Sequence, residues 1–262
     1  MEIIKFTLGG KFGFFKKPDV NTYLYFTYGN IHKVALMGMF GAILGYKGYN
    51  QMSFYKKYKK DFEDLIEDNQ KYYPEFYDKL NHLRIAIIPK EVSFNKKVQV
   101  FNNSVGYASK EKGGNLIVKE QWLENPSWDI YIAIEDEIGK DLAKVLIDRS
   151  FVYIPYLGKN DHLADIKNVE LISDVEVVAS IETIDSLFIK EDFEIVKEDN
   201  LYDFYSLKED IPTFKYEEKL PISLEKNTNK YEFKSFIYTN ERLRKKSNTS
   251  VYDVNGKHIT FV

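Results

Sequence analysis

Cysteine is absent from all 262 residues, which removes disulfides, thiolate catalysis and cysteine-ligated zinc and fits a reducing, cytoplasmic setting. Histidine is scarce. The four, at 32, 82, 162 and 258, show no HExxH or other ligand spacing, so neither a metal nor another cofactor is expected. A lone histidine is ordinarily a surface or structurally satisfied residue. No GxSxG elbow and no P-loop consensus occurs. The apolar, glycine-punctuated stretch 34–45 is shorter than the roughly 20 residues a membrane helix needs, and no basic leader precedes it. No membrane partner and no secretion signal are therefore expected. Internal repeats and low-complexity tracts are missing too.

What is present is charge segregated along the chain. Residues 1–60 hold ten lysines against Glu2 and Asp19, while the whole chain carries −3, so the remaining residues are net acidic. Residues 170–225 hold sixteen acids against five lysines. An anionic ligand is drawn to the front of the chain and repelled from its rear. At 44% hydrophobic, the chain is long enough for one large domain or two modest ones.

Period-two alternation marks strands at about 2–8, 84–88 and 128–134, and an extended segment at 23–28. A helix is predicted to about Leu44, with Asn30 as N-cap and Gly45 as stop. Helical spacing returns over 136–149, followed by a strand within 169–178. Between the second and third strands, 96–101 and 115–122 alternate like hairpin arms around a polar, glycine-bearing tip at 102–114. Residues 90–119 hold six lysines against two glutamates.

The order strand, helix, strand, hairpin, strand, helix, strand predicts an α+β, ferredoxin-like domain of the RNA-recognition-motif kind over 1–174. The inserted hairpin occupies about 91–127, and residues 175–262 form a β-rich C-terminal region. RNA-recognition motifs stack bases on aromatic side chains of the open sheet face. Here that face is expected to carry Lys5, Thr7, Asp129, Tyr131 and Ala133, of which only Tyr131 is aromatic. RNA is therefore expected on loops and hairpin rather than across the sheet.

Two motifs are specific in combination. The opening strand runs into Gly9-Gly-Lys-Phe-Gly13 and on to the helix Gly38-Met-Phe-Gly-Ala-Ile-Leu-Gly45, and a turn after Pro155 carries Tyr156-Leu-Gly-Lys-Asn160. Together, over about a quarter of the chain, they resemble the Cas five family, and most of all its type I-B branch. Members of that family cap the 5′ handle of the crRNA in CRISPR Cascade complexes.

The resemblance implies a cytoplasmic, RNA-binding subunit of an antiviral ribonucleoprotein whose hairpin acts as a thumb. It implies contacts with the crRNA 5′ handle, the Cas seven backbone subunit and a large Cas eight-type subunit, and with target DNA near the PAM. On this reading Lys11, Lys16, Lys17, Lys33 and Lys159 contact phosphate, and Asn102, Asn103, Tyr107, Asn160 and His162 contact bases or sugars. His32, Lys110 and Lys112 complete the expected RNA-binding set. No catalytic residue is expected. One branch of the family cleaves precursor RNA with tyrosine, lysine and histidine; Tyr46 and Lys47 follow the first helix here, but no histidine accompanies them. Two rivals stay open: a metal-independent endoribonuclease processing precursor crRNA, and a protein-interaction module without RNA contact.

Overall fold

The computed structural model describes residues 1–19, 23–57, 72–104, 106, 110–112, 114–196 and 212–262, with Tyr55 and Lys56 as backbone only. The first part of the chain runs through β1 (Glu2–Gly9), β2 (Phe12–Gly13), α1 (Lys33–Leu44), α2 (Tyr49–Lys57) and α3 (Glu75–Leu80). It continues with β3 (Ile85–Pro89), β4 (Lys96–Asn102), β5 (Ile117–Glu124), β6 (Ser127–Ile134), α4 (Glu137–Asp148) and β7 (Asp165–Ile172). From residue 175 the described elements are strands and one 3-10 turn: β8 (Val175–Val178), β9 (Phe188–Ile189), β10 (Phe193–Ile195), β11 (Lys215–Leu224), β12 (Tyr231–Thr239), β13 (Leu243–Lys245), β14 (Val251–Val254) and β15 (Lys257–Ile259).

Four strands form the central sheet in the order β3-β6-β1-β7, each antiparallel to its neighbours. Helices follow the first and third of these in sequence, which is the ferredoxin-like βαββαβ arrangement in a mixed α+β fold. Alternation in β1 turns Ile4, Phe6 and Leu8 to the helix layer, where they meet Leu36, Met37, Phe40 and Ile43 of α1 and Leu142 and Leu146 of α4. Gly41 allows α3 to approach α1: a Cβ there would stand 2.3 Å from Phe76.

Gly45 ends α1 with φ 81°, as the sequence predicts, but its N-cap is His32 rather than Asn30. The His32 Nδ1 accepts from Ala35 N at 3.2 Å, while the Asn30 side-chain carbonyl accepts from the indole of Trp128 at 2.9 Å. Asn30 is recruited by a core tryptophan 98 positions away, which local sequence does not reveal.

The second sheet face also differs from expectation. Tyr131, Ala133 and Asp129 are buried, because the small sheet β15-β14-β8 lies over them. Val254 and Ile259 pack there with Ile3, Ala86, Ile88, Tyr131 and Ile172. The apolar residues on this face demand a cover, and the C-terminal strands supply it. Lys5 pairs with Glu170 at 2.6 Å, Thr7 donates to Asp129 at 2.7 Å, and Lys90 pairs with the same carboxylate. Tyr131 is not available for stacking.

The β11–β12 hairpin packs against α1, adding Leu220, Leu224 and Phe236 to the main core. Glu218 fastens it to the segment before α1: its carboxylate accepts from Gly29 N at 2.9 Å and Tyr216 Oη at 2.7 Å, and pairs with Lys17 at 3.0 Å.

Candidate nucleic-acid interface

The two motifs singled out in the sequence meet in space. After β1 the glycine loop turns back along the hairpin base, where Phe12 and Gly13 pair with Glu124 and Leu123 of β5. The next residue, Phe14, donates its N–H to the carbonyl of Leu157 at 2.9 Å. Gly158 then lies so close that a Cβ would stand 1.9 Å from the Phe14 oxygen, and its φ of 82° belongs to glycine in any case. Gly10 is equally constrained, with Leu157 and the Leu163 carbonyl at 2.8 Å from a notional Cβ. The turn closes on itself through Leu157 N to His162 O at 2.8 Å and His162 N to Lys159 O at 3.0 Å.

Aromatic rings and ammonium groups line this junction. Lys159 pairs with Glu120 of β5 at 2.8 Å, and its Nζ stands 4.8 Å from the Phe101 ring centre and 5.3 Å from that of Trp122. Glu120 accepts from Trp122 Nε1 at 2.8 Å through the same oxygen. Lys16 caps the ring of Tyr25 at 3.8 Å, a separation suited to a cation–π contact. Lys11 and Lys97 stand 5.6 and 5.7 Å from the ring centre of Phe12. Among the described residues Lys11, Lys16 and Lys97 have no carboxylate partner, so their charge is available to an anion. A cleft of about 660 Å³ adjoins Lys16, lined also by Lys159, the small residues Ala35, Gly38 and Ala42 of α1, and the exposed Tyr153 and Tyr156.

Of the predicted site residues, Lys11, Lys16, Lys159, Asn160 and His162 come together at this junction. Lys17 lies beside it, over the Tyr28 ring, with its charge met by Glu218. Asn102 and Asn103 are exposed at the far end of β4, roughly 17 Å up the hairpin from Lys97 at strand rise. Lys110 and Lys112 are exposed beyond them, and Tyr107 lies outside the described residues.

Two predictions are corrected. His32 is 3% exposed, wedged among Phe15, Tyr28 and Tyr231, and burial pushes its pKa down to about 3. It caps a helix and borders the floor of the cleft rather than projecting as a surface ligand. Lys33 donates its ammonium to the Val262 carbonyl at 3.0 Å, and burial lowers its pKa to about 8. It is turned to the β3 edge, where Val262 pairs with Ile85, rather than to the junction.

His162 is at the junction yet 4% exposed. Its ring stands 4.4 Å from Trp122 and 6.0 Å from Phe12, and neither ring nitrogen has a hydrogen-bond partner among the described residues. Burial lowers its pKa. A buried polar group without a partner costs about 1–3 kcal/mol. Phe12, Tyr25, Lys97, Glu120 and Trp122 are the residues that sequence reasoning did not assign. Alternation placed Trp122 on a hairpin arm, but nothing local pairs residue 12 with residue 122.

Comparison with protein-family profiles finds no match, and comparison with curated proteins finds none. Comparison with solved structures does. A chain of a CRISPR RNA-guided surveillance complex superposes with TM-score 0.50 at 12% identity, over 93% of this chain and 91% of the other. A CRISPR protein from Archaeoglobus fulgidus gives TM-score 0.48 at 11% identity, over 99% and 98%. A chain of a Type III-B Cmr-beta complex bound to cognate target RNA gives 0.44 at 12%, over 94% and 86%. At 12% identity the first likeness establishes a shared fold.

Proposed function

We propose that this chain is a non-catalytic RNA-binding subunit of a CRISPR surveillance complex. More finely, it is a Cas five subunit of type I-B Cascade that grips the 5′ handle of the crRNA, beside a Cas seven backbone subunit and a large Cas eight-type subunit, with target DNA near the PAM. One observation carries the reading: the two motifs on which the family resemblance rests, more than 140 residues apart, are hydrogen-bonded from Phe14 to Leu157. Their junction presents three ammonium groups, without carboxylate partners among the described residues, beside aromatic rings. That is the chemistry that holds a single strand by phosphate attraction and base stacking. The fold shared with a surveillance-complex chain supports the same assignment.

A non-catalytic role is supported by the surroundings of His32. General acid–base cleavage needs a titrating group within hydrogen-bond reach of the scissile site. His32 spends its Nδ1 on the helix cap and is 3% exposed among aromatic rings.

Expression with its neighbouring subunits is expected to yield a complex holding a short RNA with one uniform, repeat-derived 5′ end, read by sequencing the extracted RNA. Absent RNA, or RNA with scattered 5′ ends, overturns the handle-gripping role. Incubating the isolated chain with precursor repeat RNA in EDTA is expected to leave the RNA intact. A single saturable cut would move the assignment to a metal-independent endoribonuclease.

A further inference from the structure

The cage formed by Phe12, Trp122 and His162 has a composition that packing alone does not account for. A buried imidazole normally hydrogen-bonds through at least one nitrogen. This one bonds through neither among the described residues, and its edge rests on the indole of Trp122. The two aromatic rings in contact with it are half-buried, more exposed than the imidazole, and ringed by cations, with Lys11 and Lys97 at Phe12 and Lys159 at Trp122, each within 6 Å of a ring centre. Flat rings surrounded by ammonium groups are the composition of a single-strand stacking platform. Here the platform is filled by a side chain of the protein itself.

We propose that Phe12 and Trp122 form a stacking site for one unstacked nucleobase, and that His162 occupies it as a placeholder until RNA arrives. This rests on the RNA-binding reading and adds to it the place and the chemical class of one contact. The exchange is local. His162 belongs to a short turn whose closing bonds, Leu157 N to His162 O and His162 N to Lys159 O, use only its backbone. The ring therefore leaves the cage by side-chain rotation, without breaking the Phe14–Leu157 junction. Outside the cage its two nitrogens meet water or RNA, and the base takes over the ring contact.

The surrounding charges favour the exchange once RNA is near. Glu120 and Asp161 act on the imidazole from β5 and from its own turn, and Lys159, paired with Glu120 at 2.8 Å, opposes them. Phosphates flanking the stacked base would meet Lys11 and Lys97, which lack a carboxylate partner among the described residues. Glu120 accepts the Trp122 Nε1 hydrogen and holds the indole plane in place, so the platform persists after the histidine has left.

Tryptophan emission reads the exchange directly, because the chain has only two tryptophans and Trp128 is fully buried in the core. The probe is a ten-nucleotide single-stranded RNA, titrated into the full-length chain, with an abasic RNA of the same length as control. The intact RNA is expected to quench the emission, and Trp122→Phe to remove the quenching. Trp122→Ala is expected to weaken binding of the intact RNA about 5- to 150-fold, the range for losing one stacked base. The abasic RNA is expected to bind wild type and Trp122→Ala alike. His162→Ala, which removes the placeholder, is expected to bind the intact RNA as tightly as wild type or up to about tenfold more tightly.

Salt-dependent binding with unchanged emission and equal affinity for intact and abasic RNA overturns the stacking site while leaving the RNA-binding role standing. Weaker binding by a folded His162→Ala chain overturns the placeholder role. No binding of either RNA, by the chain alone or within its complex, overturns the RNA-binding reading and the stacking site together.

Discussion

His32 illustrates how a residue that looks like a surface ligand in the sequence becomes structural. It follows a glycine-bearing, polar segment and precedes a lysine, which is the setting of an exposed contact. In the fold Ala35 N bonds its Nδ1, and three aromatic rings enclose it. A neutral imidazole suffices for capping, and burial holds its pKa near 3. The unfolded chain binds a proton at His32 near pH 6.5, and the folded chain resists doing so until about pH 3. Stability is therefore greatest above pH 6.5 and falls as pH drops from there toward 3, with a slope from this group of up to about 1.4 kcal/mol per pH unit. His32→Asn keeps a capping oxygen and removes the titration. Denaturant unfolding between pH 7.5 and 5 is expected to show a shallower loss for the variant, which is less stable overall because the smaller side chain leaves space among the rings. Equal slopes would show that His32 is protonated or exposed in the folded chain. Lys16 and Lys17 make the same point about adjacency: one is exposed over Tyr25, the other is neutralised by Glu218.

Among elements, the turn over residues 156–163 has the least secondary structure and the strictest backbone demands. Its hold on the glycine loop depends on Gly158, where both the left-handed φ and the 1.9 Å approach to the Phe14 carbonyl exclude a side chain. Gly158→Ala is expected to cost about 2–4 kcal/mol in denaturant unfolding, combining backbone strain with a displaced Phe14–Leu157 bond. Gly48→Ala, which meets nothing within 4 Å, is the matched control, expected to change stability by under about 1 kcal/mol. A Gly158→Ala chain as stable as the control would mean that the turn does not rest on Phe14 in solution. The strands and helices around this turn were readable because period-two and helical spacing are local properties, and β1, β3, β6, α1 and α4 lie where alternation and the Gly45 stop put them. The hairpin arms were readable for the same reason. The junction was not, because glycine at 158 states only that the backbone is unusual there, and the partner that requires it is 144 residues earlier in the chain. Both motifs were visible; their meeting was not. The cage of Phe12, Trp122 and His162 was hidden because its members sit on three separate elements.

At the scale of the whole molecule, a basic front and an acidic rear are combined with a sheet that the chain covers for itself. An RNA-recognition-motif sheet ordinarily offers one face to a single strand. Here the C-terminal strands β8, β14 and β15 occupy that face, and Glu170 and Asp129 line its polar positions. Alternation predicted that the C-terminal region would be rich in strands, but not which surface they would cover. On the proposed reading, this cover directs RNA to the junction, where Lys11 and Lys16 project. Two substitutions separate the roles of these surfaces. Tyr131→Ala is expected to cost about 3–5 kcal/mol of stability, as for other buried aromatic truncations, while leaving the affinity of the folded chain for single-stranded RNA within about twofold. Replacing Lys11 and Lys16 together with alanine is expected to do the reverse. Removing one lysine–phosphate pair from a single-strand complex flattens the dependence of log affinity on log salt by about 0.7, so the double variant should flatten it by about 1.4 while stability stays within about 1 kcal/mol. An unchanged salt slope in that double variant would make those ammonium groups ordinary solvated charges. A large affinity loss in a folded Tyr131→Ala chain would mean that RNA reaches the covered face, which requires the C-terminal sheet to lift away on binding.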